Sequence, residues 1–100
     1  MKESTIQRGI IDYLQTVDDI YYFRSAAGSV QTAHGRFFKT GRPGCPDISV
    51  VYRGTYYGIE VKTKSGYQTN LQKHAEEQIK KAGGQYHIAR SVSDVKKIIK

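Results

Sequence analysis

Two runs of β-branched and aromatic residues, 47–53 and 55–62, stand on either side of a single glycine. Such runs around a tight turn predict a β-hairpin. If residues 53–54 form a two-residue turn, Asp47 lies directly opposite Glu60 on the neighbouring strand. This pairing constrains the fold strongly, because a slip of one residue would move every side chain of a strand to the other face.

Alternation along the two strands divides their side chains between two faces of the hairpin. The apolar face, which we expect to be core, carries Ile48, Val50, Tyr57, Ile59 and Val61. The polar face carries Asp47, Ser49, Gly58, Glu60 and Lys62. Because Ser49 and Gly58 are small, we expect a shallow pocket beside the carboxylates.

Like charges directly opposed across two strands are destabilising unless something offsets them. A divalent cation such as Mg²⁺ would do so, since it is commonly held by one or two carboxylates, water and phosphate oxygens. Lys62 would then orient or deprotonate the attacking water, or stabilise the charge that develops on the phosphate. The pattern predicts a hydrolytic phosphodiesterase site at Asp47, Glu60 and Lys62.

The same residues also fit a purely structural interpretation. Glu-x-Lys on a strand is commonly a solvated ion pair, and Pro-Asp commonly marks a turn that leads into a strand. A turn of three or four residues would also shift the register and separate Asp47 from Glu60.

The chain carries 16 Lys and Arg against 9 Asp and Glu among its 100 residues, a formal charge of +7. Such an excess attracts polyanions, and nucleic acid is the leading partner, although a basic soluble protein has the same composition. One cysteine, Cys45, excludes an internal disulfide and suits a reducing compartment. The charged N-terminal segment fits neither a signal peptide nor a membrane span, so we expect a cytoplasmic, non-secreted protein.

Periodicity outside the hairpin predicts helices over about residues 3–17 and 69–82, a final helix capped by Ser93, and strands over about residues 20–25 and 85–90. The order is α-β-β-β-α-β-α, which predicts a single α/β domain over residues 1–100 with a four-stranded mixed sheet. Thr69 and Gln72 form a capping-box pattern. Residues 26–46 are a glycine-rich basic loop, and a loop of this length is functional, disordered or contains a short element.

The segments "ESTIQ", "CPD", "IEVK" and "TNLQKHAEEQIKKAGGQYHIAR", in that order, resemble the PD-(D/E)xK nuclease superfamily and within it the VRR-NUC domain in its short, stand-alone viral or phage form. The resemblance implies a restriction-endonuclease-like α-β-β-β-α-β core. It further implies a metal-dependent DNA endonuclease that acts as a homodimer on branched, nicked or otherwise structured DNA in replication, repair or recombination. No membrane and no small-molecule cofactor would be involved, and a viral form would work in the host cytoplasm.

By resemblance, Asp47, Glu60, the Val61 backbone carbonyl and Glu3 would bind Mg²⁺ or Mn²⁺. Lys62 would be the catalytic lysine. Helical spacing independently places Glu3 on the inward stripe of the first helix. A capping box between Ser4 and Gln7 would instead leave Glu3 solvated outside the helix.

Gln72 is expected near the site by the same resemblance. Its other role is the capping partner of Thr69, and we expect the two roles to exclude each other at any instant. Phosphate contacts are predicted at Arg36, Lys39, Arg42 and Lys64. Base stacking, core packing or a dimer interface are alternative roles for Tyr21, Tyr22, Phe37 and Phe38.

Weaker candidates are Cys45, which has no paired histidine in sequence, and three scattered histidines, His34, His74 and His87. Three other functions are also compatible with the sequence. They are a non-catalytic nucleic-acid-binding module, an RNA endonuclease, since such chemistry does not select the sugar, and a small subunit whose basic face binds an acidic protein.

Overall fold

A computed structural model describes residues 1–26, 29–31, 37–39 and 42–100, with the backbone alone for 29–31 and 37–39. Three helices and six strands are present in this part of the chain. In chain order they are α1 (Glu3–Leu14), β1 (Ile20–Arg24), β2 (Ser29–Gln31), β3 (Phe37–Lys39), β4 (Ile48–Tyr52), β5 (Thr55–Val61), α2 (Asn70–Lys81), β6 (Gln85–Ala89) and α3 (Val92–Lys96).

Four of the strands form a mixed sheet in the order β1-β4-β5-β6. The β1–β4 and β4–β5 pairs are antiparallel, and β5 pairs with β6 in parallel through the crossover helix α2. The predicted four-stranded mixed sheet and α/β fold are therefore confirmed. Antiparallel β2 and β3 form a separate two-stranded sheet.

The β4–β5 turn sets the predicted hairpin register. Arg53 and Gly54 both have positive φ, 52° and 78°, which is typical of a two-residue type I′ turn. Tyr52 consequently pairs with Thr55, and the ladder continues to the pair of Ile48 and Ile59. The predicted register is confirmed, so the apolar and polar faces of the hairpin are the predicted ones.

The hydrophobic core lies between the apolar face of the sheet and helices α1 and α3. Its buried members are Ile6, Ile10, Leu14, Ile48, Val50, Tyr52, Ile59, Val61, Ala89, Val95 and Ile99. A Cβ added to Gly9 would lie 2.8 Å from Val92 Cγ2, so the absence of a side chain at Gly9 allows α1 to approach α3 closely. The hydrophobic core thus covers only one face of the four-stranded sheet.

Three sequence-based boundaries change in the structure. Helix α1 ends at Leu14 instead of residue 17, because the Thr16 and Val17 amides donate to carbonyls three residues back and tighten the chain into a turn. The cap of α3 is Ser91 and not Ser93, since Ser91 Oγ accepts from the Asp94 amide. Residues 26–46, of which 27–28, 32–36 and 40–41 lie outside the described residues, contain the short β2–β3 hairpin.

Helix α2 covers part of the opposite face, over β5 and β6. The predicted capping box is present, with the Thr69 hydroxyl accepting from the Gln72 amide and the Gln72 side chain accepting from the Thr69 amide. No α2 residue is buried, so α2 packs less tightly than the core helices. Within the part of the chain described, none of the helices is both long and apolar enough to cross a membrane.

Candidate active site

Asp47 lies immediately before β4, between β1 and β5. Its Oδ2 accepts a hydrogen bond of 2.7 Å from the Val61 backbone N–H. Its backbone carbonyl accepts a 3.0 Å bond from the Ser25 N–H. Strand β5 therefore holds the carboxylate of Asp47, and the residue that follows β1 holds its backbone, at the end of the hairpin ladder.

Glu60 is the most deeply buried charged residue among those described, with 2% of its surface exposed. Gln72 Nε2 donates to Glu60 Oε2 at 2.9 Å. Lys62 Nζ lies 3.9 Å from the same oxygen. The second oxygen, Oε1, is buried and accepts no hydrogen bond from the described donors, so no donor group replaces its lost hydration.

The environment of Glu60 disfavours its charged form. The pKa of Glu60 is raised to about 9. Burial is the largest cause, the adjoining carboxyl group of Asp47 is the next, and Glu3 makes a smaller contribution. Lys62 lies at an ion-pair distance and acts in the opposite direction, but its attraction is outweighed. At neutral pH the Glu60 carboxyl group therefore retains a proton that a bound cation can replace.

These features fit a divalent cation. An unpartnered carboxylate oxygen beside a second carboxylate offers hard oxygen ligands, and burial makes an uncompensated negative charge there costly. No cluster of three or more His, Cys, Asp and Glu within the described ranges is arranged to hold a metal. A cation here would therefore need additional oxygen ligands from the backbone, water or a substrate.

Lys62 is only 8% exposed, and its backbone N–H donates to the Ala89 carbonyl at 3.1 Å. The loop that follows returns to this side chain, since a Cβ added to Gly66 would lie 3.4 Å from Lys62 Cδ. Arg90 Nη1 binds that loop through the carbonyls of Thr63 at 2.6 Å and Gly66 at 3.0 Å. Sequence reasoning missed Arg90, because its partners are 24 and 27 positions away and no local pattern signals the contact.

Gln72 performs both of its predicted roles at once, so the expectation that they exclude each other is wrong. Its Oε1 accepts from the Thr69 amide at 2.9 Å, while its Nε2 donates to Glu60 at 2.9 Å. The two functions use opposite atoms of one amide group, which is both donor and acceptor. The helix cap thus orients the side chain that holds Glu60.

Glu3 is the first residue of α1 and is exposed. The alternative capping box between Ser4 and Gln7 does not form, because the helix begins two residues earlier, with Lys2 at the N-cap and no side-chain cap. Glu3 is close enough to act electrostatically on Glu60. It therefore lies at the rim and not among the contacting groups.

The space expected beside Ser49 and Gly58 is occupied by neighbouring side chains. The Pro46 ring occupies the space over Gly58, where an added Cβ would lie 2.6 Å from Pro46 Cγ. The Ser49 hydroxyl contacts Ser25 Oγ at 2.9 Å and Tyr56 Oη at 2.8 Å. The "CPD" segment therefore packs on this face of the sheet and fills the space over Gly58, and Asp47 is its last residue.

Two surface cavities lie away from the carboxylates. One of about 310 Å³ lies between the loop at residues 42–46 and α2, and one of about 470 Å³ lies at the far end of the hairpin beside Arg53 and Lys100. Neither is lined by Asp47 or Glu60. Cys45 borders the first, where burial raises the pKa of its thiol, so the group stays protonated and unsuited to nucleophilic attack.

The remaining candidates are distributed around the molecule. Arg42, Lys64, His74 and Tyr21 are exposed, and Tyr22 is partly buried against the core. Arg36 and His34 lie outside the described residues, and Lys39, Phe37 and Phe38 are described by their backbone in β3. His87 stacks on Tyr57 at 6.2 Å and contacts Gln85 Oε1 through Nε2, and burial lowers the pKa of its imidazole, all of which indicate a structural role.

The geometry defines a layered α/β fold with a mixed sheet and, at one end of that sheet, a carboxyl pair of which Glu60 is buried and Asp47 half-buried. A search of solved structures finds a chain described as "VRR_NUC domain" with a TM-score of 0.68 and 20% sequence identity. The alignment covers 96% of this chain and 91% of the other. No protein-family model and no curated protein matches the sequence. The predicted resemblance to the VRR-NUC domain is thus confirmed in the fold.

Proposed function

We propose that this protein is a divalent-metal-dependent endonuclease that hydrolyses phosphodiester bonds in DNA. The observation that carries the proposal is the buried Glu60 carboxyl group, which has one unpartnered oxygen and adjoins Asp47 with Lys62 alongside. The likeness of the fold to a VRR_NUC domain supports a nuclease-type domain. The formal charge of +7 favours a polyanionic substrate.

Asp47 and Glu60 would hold Mg²⁺ or Mn²⁺, together with the Val61 carbonyl, and Glu3 would act from the rim through water. When bound, the ion supplies Lewis-acid polarisation of the phosphate and a lower pKa for a coordinated water. Two carboxylates with water and phosphate oxygens are a common ligand set for Mg²⁺. Such a site is completed by its substrate.

The chain's own residues would prepare this chemistry. Gln72 fixes Glu60 through Oε2 and leaves Oε1 available as a ligand. Lys62 would orient or deprotonate the attacking water, or stabilise charge on the phosphate. The water would lose a proton as its oxygen bonds to phosphorus, and the leaving oxygen would take up a proton from solvent as its bond to phosphorus breaks. Arg90 would act as a positioning residue, because it binds the loop that packs on the Lys62 side chain.

The contacts with DNA would involve Arg42, Lys64 and the basic segment with Arg36 and Lys39. Cutting both strands of a duplex needs two sites or sequential nicking, so we propose that the protein acts as a homodimer. Branched, nicked or otherwise structured DNA in replication, repair or recombination is the proposed substrate class.

The test is cleavage of labelled linear, nicked and four-way-junction DNA, and of matched RNA, with Mg²⁺, with Mn²⁺ or with EDTA. We expect DNA cleavage only with metal, and we expect Asp47→Ala and Lys62→Ala to abolish cleavage while binding in EDTA is retained. Binding without cleavage of any substrate would instead indicate a non-catalytic module, and preferential RNA cutting would indicate a ribonuclease. Cleavage at the parental rate by both variants would show that the site assignment is wrong.

A further inference from the structure

Three apolar side chains on the sheet are exposed to solvent. Tyr21 is 67% exposed, Phe23 50% and Val51 44%, and we call these three the aromatic patch. Tyr21 pairs with Val51 across β1 and β4, and the adjacent Ile20 and Tyr22 pack on the core. Alternation therefore places the aromatic patch on the opposite face of the sheet, which is also the face of Glu60 and Lys62.

The aromatic patch leads directly to the candidate active site. Phe23 pairs with Ser49, two residues along β4 from Asp47. Strand spacings of about 4.8 Å between strands and about 3.3 Å per residue put Phe23 Cα about 8 Å from Asp47 Cα, and Tyr21 Cα about 14 Å away. The two rings thus follow one another along β1, away from the carboxylates. Both rings therefore lie beside the path of a strand whose phosphate occupies the candidate metal site at Asp47 and Glu60.

The rings are arranged so that their faces are accessible. Their centroids are 6.0 Å apart with an interplanar angle of 57°, a tilted arrangement in which neither ring covers the other. Aromatic side chains exposed on a sheet are well suited to stack on unpaired bases, because every base has a π-face.

A second copy of this chain is a poorer occupant of the aromatic patch. A fully buried aromatic side chain covers about 150–250 Å², so two rings exposed by half to two-thirds and one valine offer roughly 300 Å². A stable interface buries about 800 Å² on each partner. The patch is of the right size for one or two bases, and it lies on a chain with an excess of positive charge.

We propose that Tyr21 and Phe23 stack on unpaired bases of the substrate strand beside the scissile phosphate. This inference rests on the proposed nuclease function and names its substrate class more closely as DNA with a single-stranded or distorted segment next to the cleavage site. Fully paired duplex, whose bases are stacked on each other, cannot use the aromatic patch.

Binding in EDTA, where no cleavage is expected, separates this proposal from the proposed catalysis. The probes are a single-stranded oligonucleotide, a gapped duplex and a continuous duplex, each containing 2-aminopurine, with affinity measured by anisotropy and stacking by fluorescence quenching. We expect the double variant Tyr21→Leu/Phe23→Leu to bind single-stranded and gapped DNA about tenfold more weakly and to lose the quenching. Continuous duplex should bind with unchanged affinity.

The matched control is Tyr21→Phe, which retains the ring and should bind and quench like the parent. Leucine at both positions keeps apolar bulk at exposed sites, and far-UV circular dichroism checks the fold. Equal losses for duplex and single strand, or no loss of quenching, would overturn the proposal. Unchanged DNA affinity of the double variant, together with reduced self-association in sedimentation, would also overturn the proposal, because it would show that the aromatic patch is a protein interface. Quenching by a protein that cleaves no substrate would support the aromatic patch while refuting the nuclease.

Discussion

Glu60 has one carboxylate oxygen bound to Gln72 and one without a hydrogen-bond partner, and this asymmetry is the main chemical feature of the site. Gln72 is itself fixed by Thr69, so the start of helix α2 and the orientation of Glu60 are linked. Replacing a residue that orients a metal ligand through a hydrogen bond commonly lowers metal affinity or activity by about 10–100-fold. At the scale of single residues, Gln72 is therefore expected to matter through Glu60 and not only through the cap.

Replacing Gln72 and Thr69 separately tests this expectation. Thr69→Ala removes the cap hydroxyl but leaves the Gln72 side chain on Glu60, whereas Gln72→Ala removes both contacts. Both variants should lose about 1 kcal/mol in the free energy of unfolding, measured by urea denaturation. Only Gln72→Ala should lose about tenfold in cleavage rate. Equal cleavage rates for the two variants would reduce Gln72 to a capping residue.

At the scale of elements, the loop at residues 42–46 packs against both α2 and the hairpin. Gly44 has a φ of 76°, and a side chain there would overlap the Leu71 carbonyl in the first turn of α2. Pro46 in the same loop covers Gly58 on β5. The loop therefore sets the position of Asp47, which follows it directly, relative to the helix that carries Gln72.

Alanine at Gly44 should disturb this junction, and Gly54 offers a matched control. Gly54 also has a positive φ of 78°, but a Cβ there would meet nothing within 4 Å. Gly54→Ala should cost about 1 kcal/mol from backbone strain alone. Gly44→Ala should cost more, about 2–4 kcal/mol, and should reduce cleavage more strongly than Gly54→Ala. Urea denaturation and single-turnover cleavage measure the two effects, and equal behaviour of both variants would contradict the proposed junction.

At the scale of the whole molecule, stability and metal binding are linked through Glu60. Its folded-state pKa of about 9 lies above its ordinary value of 4.5, so the folded protein binds a proton more tightly than the unfolded chain does. This stabilisation is complete below the ordinary pKa and is lost as pH rises through the folded-state value. In EDTA the free energy of unfolding should therefore fall between about pH 4.5 and pH 9.

The Glu60→Gln variant isolates this effect, because glutamine mimics the protonated acid and does not titrate. Denaturation in EDTA at about pH 6 and about pH 9 should show a larger loss of stability with rising pH for the parent than for Glu60→Gln. Mg²⁺ should restore the parent more at the higher pH than at the lower, and should leave Glu60→Gln nearly unchanged. Identical pH slopes for the two proteins would contradict the buried-carboxylate interpretation.

The overall charge of +7 predicts salt-dependent DNA binding. Removing a single cation that binds phosphate should lower the slope of log affinity against log salt by about 0.9 for duplex DNA. Replacing Arg36, Lys39 and Arg42 together with alanine should therefore flatten the slope by up to about 2.7, measured by anisotropy in EDTA over a salt series. The triple variant Lys80→Ala/Lys81→Ala/Lys97→Ala is a charge-matched control, with its substitutions at exposed positions near the ends of α2 and α3. Equal slopes of log affinity against log salt for the two triple variants would show that the basic segment does not contact DNA.

Local patterns in the sequence were sufficient to predict the hairpin, its register and the order along the chain of the helices and of the four strands of the main sheet, because turn chemistry and strand alternation act over neighbouring residues. They also located the capping box of α2. The way in which these parts act together depends on contacts that form only in the folded chain. Burial beneath α2 changes the proton affinity of Glu60, Pro46 fills the space that small side chains had suggested, and Arg90 binds a loop 24 positions away. Desolvation and contacts between distant segments cause these effects, and neither is encoded in a local pattern.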